Sequence, residues 1–123
     1  MSFKDEITKG IGAHGLWKAR LHAAIDSGKV DDNIADVHRD NVCSFGQWLY
    51  GASISADVRG SSNYAQVRNL HADFHQCAGK VLMLTKNGKK NEAEAMMGTS
   101  GEFTRISGDL THAMMEWQRT VKA

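Results

Sequence analysis

His71 and His75, in the stretch LHADFHQCA, stand four residues apart. On a helix that spacing stacks two imidazoles on one face, where both can direct a nitrogen at a single cation. Counting roughly 100° per residue, Tyr64, Val67, His71, Phe74, His75, Ala78, Val81, Leu82 and Thr85 share one stripe. It is apolar apart from Thr85 and the histidines. Imidazoles buried there without partners would be costly, so the pair needs either a metal ion or hydrogen bonds that satisfy two core histidines.

A third imidazole points the same way. Ile7, Ile11, His14, Trp17, Leu21 and Ile25 follow 3.6-residue spacing, with His14 in the middle of an otherwise apolar stripe. Cys43 opens a short aromatic-rich segment, CSFGQWLYG, and offers a candidate fourth ligand. Its glycines, Gly46 and Gly51, are expected to leave room for packing against another helix. Three imidazoles and one thiolate make a closed tetrahedral set of the kind zinc takes in non-catalytic sites. Catalytic zinc keeps a position open for water, so the set argues against hydrolysis and against an enzyme.

The other candidates grade differently. Cys77, six residues beyond His71, falls off the shared stripe and reads as a free structural thiol. His112 lies about half a turn from the centre of the face formed by Phe103, Ile106, Leu110, Ala113, Met114, Trp117 and Val121, and is expected to face solvent. His22 flanks the first stripe and His38 sits in a polar, Asp-rich connection, so both read as surface histidines. Asp36, Asp40 and Asp73 are candidates to accept from the outer ring nitrogens, against the simpler reading of surface carboxylates.

The elements that must position these side chains are all helical. The chain has no proline, long 3.6-residue periodicities and no competing strand pattern. The spacing predicts helices over about 3–26, 42–52, 63–87 and 101–121, with a short helical piece over 91–97, each bound good to ~2 to 4 residues. Gly28, Gly60, Gly88 and Gly101 punctuate the connections. Gly10, Gly12 and Gly15 weaken the start of the first helix, each by roughly 1 kcal/mol relative to alanine, and that segment is expected to loosen without metal.

HGLWKARL around His14, CSFGQWLYG around Cys43 and LHADFHQCA around His71 and His75 resemble, in order, the three signature segments of the CZB family, the chemoreceptor zinc-binding domains of bacteria. The downstream GEFTRISGDLTHAMMEW resembles that family's closing helix. The resemblance implies a four-helix bundle, zinc held by His14, Cys43, His71 and His75, and a homodimer. It also implies a cytoplasmic setting beside chemoreceptors or diguanylate cyclases, where zinc or oxidants such as hypochlorous acid are sensed. The 123 residues leave no room for an output module, a departure from the family's pattern that leaves the signalling partner unidentified.

Composition bounds this reading. The length suits one domain, residues 1–123, with a single packed core. Fifteen basic and fourteen acidic residues give a net charge of +1, too little to draw nucleic acid or a membrane surface. Apolar runs of only a few residues predict neither a membrane-spanning helix nor a signal peptide. Two cysteines, one of them assigned to metal, fit a reducing compartment rather than a disulfide scaffold. The run KNGKKNE reads as a solvated turn, and Trp17, Trp48, Tyr50 and Trp117 as core or dimer contacts. Exposed apolar surface for a second copy is expected near Met114, Met115 and Trp117.

Two rivals remain open. A hemerythrin-like di-iron bundle that binds oxygen or nitric oxide would need carboxylate ligands, for which His112 with Glu116 and His22 with Asp26 have the spacing but lie off their apolar faces. A helical interaction module, with zinc as a permanent staple or with no metal at all, would need no sensing chemistry.

Overall fold

The computed structural model describes residues 3–31 and 33–120. These form helices α1 (Phe3–Ser27), α2 (Ile34–His38), α3 (Ser44–Leu49), α4 (Ala56–Arg59), α5 (Ser62–Lys86), α6 (Lys90–Met97) and α7 (Glu102–Thr120), with no strand among the described residues. None of these helices is long and apolar enough to cross a membrane.

The long periodic stretches bury the faces that their spacing specifies. On α5 every residue of the predicted stripe, from Tyr64 to Thr85, is buried. On α7 the buried face is Phe103, Ile106, Leu110, Ala113, Met114 and Trp117; Val121 lies outside the described residues. On α1 it is Ile7, Gly10, His14, Trp17, Leu21 and Ile25, while Ile11 is only half-buried. Gly28 ends α1 at φ +72° and Gly88 follows α5 at φ +77°, conformations that glycine adopts without a Cβ penalty.

Helix α5 is the hub, packing against α1, α2, α6 and α7. The four-helix description holds approximately: α1, α5 and α7 are long, and the fourth member, α6, is only eight residues but packs against all three.

Two short helices occupy stretches that periodicity leaves as connections. In α2, Asn33 Oδ1 accepts from the Asp36 amide at 3.2 Å, and in α4, Ser55 Oγ accepts from Val58 at 3.3 Å. Single turns held by such caps are too short to display a 3.6-residue repeat. Helix α2 also changes the reading of His38. That side chain is half-buried, and its ring lies so near Gly79 of α5 that a Cβ there would come within 2.7 Å of it.

Glycine allows a further close helix approach at Gly10, rather than at Gly46 or Gly51. A Cβ on Gly10 would overlap the Phe45 ring and stand 2.8 Å from Met114 Cε. At Gly46 a Cβ would collide with the Asp40 carbonyl in the chain leading into α3, and at Gly51 it would meet α3's own Gln47 carbonyl at 2.9 Å. The far end of α3 is tied down by polar contacts. Tyr64 Oη donates to the Leu49 carbonyl at 2.9 Å, and Arg59 donates to the carbonyls of Tyr50, Gly51 and Ile54. Edge-to-face contacts of Phe3 with Trp48 at 5.0 Å and with Trp117 at 5.1 Å join α3 to the outer ends of α1 and α7.

Candidate metal centre

Three elements bring four side chains together. Helix α5 begins where Ser61 Oγ accepts from the Tyr64 amide, and it carries His71 and His75 inward, 0% and 2% exposed. Helix α1 supplies His14, 4% exposed. Cys43 is the N-cap residue of α3, its Sγ accepting from the Gly46 amide at 3.3 Å. The candidate ligand atoms of His14, Cys43, His71 and His75 all lie within 4.8 Å of one another.

Cys43 Sγ stands 3.4 Å from His71 Nε2, 3.4 Å from His75 Nε2 and 4.0 Å from His14 Nε2. A thiol has one proton and can satisfy only one of three ring nitrogens. The edges of a tetrahedron answer better. With Zn–S near 2.3 Å and Zn–N near 2.05 Å, tetrahedral angles put sulfur and nitrogen about 3.6 Å apart, in the middle of the observed spread.

The outer nitrogens orient the rings. His14 Nδ1–H donates to the Gly10 carbonyl at 2.7 Å and His75 Nδ1–H to the Val37 carbonyl at 3.0 Å. A ring that donates through Nδ1 presents the Nε2 lone pair, so both imidazoles aim an acceptor at the centre. His71 Nδ1 is buried with no hydrogen-bond partner, and the rings of His14, Phe45 and His75 crowd it at 4.7, 5.2 and 4.6 Å between centroids.

The acceptors are therefore backbone carbonyls, not the carboxylates named as candidates. Asp36 is exposed and pairs with Arg39 at 3.9 Å, Asp73 is exposed, and Asp40 accepts from the Tyr50 hydroxyl. Gly10 could have been read from its place one turn before His14. Val37 had only the weaker signal of an Asn33 cap ahead of two apolar residues, Ile34 and Val37.

Electrostatics favour neutral imidazoles. Burial lowers the His14 pKa to about 4 against the opposing pull of the Gly10 carbonyl. Burial, with the neighbouring His14 and His75, lowers that of His71 to about 2. Burial also lowers His75, with the Val37 carbonyl and Asp40 opposing it. The Cys43 thiol is pushed up by burial and held back in part by the Gly46 amide. Three neutral nitrogens around a thiol that resists ionisation make a pocket poor in positive charge. A divalent cation would supply that charge and hold the sulfur as thiolate.

Other candidates stay apart from this group. Cys77 is buried on α5, and its pKa is raised to about 11 by burial and by Glu102. His22, Asp26 and His112 are exposed and Glu116 is half-buried, so neither pair suggested for iron faces the core. Among the described residues no second group of three or more metal-binding side chains converges.

An all-helical domain in which three imidazoles and a thiol converge has the donor set of a zinc-binding domain. The model of the chemoreceptor zinc-binding domain family matches residues 14–82, more than half the chain and including all four converging residues, and the chain belongs to this family. The family's metal is zinc, and the cluster is fitted to hold it. The match leaves out the first turns of α1 and all of α6 and α7. No curated protein and no solved structure matches the chain.

Proposed function

We propose that residues 1–123 form one regulatory zinc-binding domain of bacterial signalling, in chemotaxis or cyclic-di-GMP control, that works in the cytoplasm as a homodimer. In this reading His14, Cys43, His71 and His75 hold one zinc ion per chain and carry no catalysis. The signal is zinc itself or an oxidant such as hypochlorous acid.

The observation that carries the reading is the double role of Cys43. Its sulfur converges with three imidazoles and also caps α3. Any event that takes the sulfur away from the centre therefore also removes the acceptor for Gly46 N–H and frees the start of α3. An oxidant acts at that atom: Cys43 thiolate and hypochlorous acid give a sulfenic acid and chloride, a two-electron oxidation of sulfur matched by reduction of chlorine. A sulfenic acid is a poorer ligand than a thiolate. Met115 at 53% and Leu16 at 66% exposure give apolar surface for a second copy.

Elemental analysis and mass spectrometry test the reading together. One zinc per chain is expected, with a loss of roughly a hundredfold or more in affinity on replacing His14, His71 or His75 by Ala or Cys43 by Ser, and no loss for His112→Ala. Stoichiometric hypochlorous acid should modify Cys43 before Cys77 and release zinc. Two irons per chain would overturn the metal assignment. Oxidation confined to Cys77 and the methionines, with zinc retained, would leave zinc as a permanent staple.

A further inference from the structure

His14, His71 and His75 are all but inaccessible, and Cys43 alone of the four is half-buried. Two clefts reach it. One, of about 430 Å³, runs beside α1 and the start of α3, lined by Glu6, Lys9, Ala13, Leu16 and Phe45 and touching His14. The other, of about 310 Å³, lies toward α2, lined by Asn33, Asp36, Val37 and Val42 and touching His75. The two clefts share three residues: Trp17, Arg20 and Cys43.

Trp17 and Arg20 are joined to each other. The Arg20 guanidinium lies over the Trp17 indole, 3.7 Å from the ring centroid, and the other packing of that indole includes the His75 ring at 6.3 Å. Trp17 is buried and Arg20 is exposed. The buried indole is thus the inner partition and the exposed guanidinium stacked on it the outer edge, which can move without the bundle opening.

We infer that the Trp17–Arg20 stack is an access gate to the Cys43 sulfur, setting how fast small soluble thiol-reactive or metal-binding molecules reach the centre and leaving its equilibrium affinity for metal unchanged. The inference rests on the reading of Cys43 as a metal ligand. Swinging Arg20 away joins the two clefts beside the sulfur, since both are lined by Arg20 and by Cys43. Larger reagents gain more from that movement than small ones.

Zinc-loaded protein and its Arg20→Ala and Trp17→Phe variants are treated with iodoacetamide and, separately, with a fluorescein maleimide, and adducts at Cys43 are timed by peptide mass spectrometry. Zinc affinity is measured in parallel by chelator competition. Arg20→Ala should raise the Cys43 rate roughly two- to fivefold, the factor matching loss of an exposed cation–π contact, more for the bulky reagent, at unchanged zinc affinity. Trp17→Phe keeps an aromatic core residue and should raise the bulky-reagent rate. Unchanged rates in both variants, or a rate increase matched by an equal loss of affinity, would overturn the gate. If Cys43→Ser leaves zinc affinity intact, the functional reading fails instead, and the metal-free alkylation rates then decide the gate by the same criterion.

Discussion

His75 Nδ1 and the Val37 carbonyl meet at 3.0 Å across 38 residues of sequence, so a ring of the candidate metal centre is held by the backbone of α2. The same helix packs on α5 through His38 and Gly79. Order in the centre is thereby linked to order in a single-turn helix that has little stability of its own.

Hydrogen exchange should register that link. Zinc is expected to slow exchange of amides in 34–38 and 43–49 far more than in the middle of α7, which contributes no ligand. Equal protection along the whole chain would mean that zinc acts only through global stability.

The glycines of α1 should separate cleanly. Gly12 and Gly15 meet nothing within 4 Å, so alanine at either is expected to stabilise the protein by about 0.5–1 kcal/mol through helix propensity. Gly10→Ala instead drives a methyl into Phe45 and Met114, and is expected to destabilise by about 1–3 kcal/mol despite that propensity. Thermal melts of the three variants check this. A stabilising Gly10→Ala would mean that α1 and α3 do not approach as described.

Acid should unfold the metal-free protein early. His14 titrates in the folded chain near 4, His71 near 2 and His75 below its usual value, whereas all three take up protons near 6.5 once unfolded. The unfolded state therefore binds more protons below pH 6.5, and stability present above that pH is lost as pH falls toward the folded values. Each such histidine contributes a slope of at most about 1.4 kcal/mol per pH unit. Melting temperature after chelation should fall steadily from pH 6.5 to 5, and His14→Phe should flatten part of that slope. A melting temperature constant over this interval would contradict buried, neutral imidazoles.

Much of the centre was legible in the chain because helical periodicity is a local property. Long repeats in α1, α5 and α7 determine which side of each helix is apolar, and so place His14, His71 and His75 inward without any knowledge of the neighbours. Cys43, at the head of an aromatic segment, was recognisable as a candidate but not as the N-cap of α3, since capping depends on the backbone angles at that residue. Tertiary structure alone decided the rest. Which carbonyl meets an outer ring nitrogen, which glycine lets two helices touch and how two clefts converge on one sulfur depend on segments far apart in sequence, and periodicity does not encode their distances. Val37 is the plainest instance: its carbonyl is common to every residue type, and only packing of α2 on α5 brings it to His75.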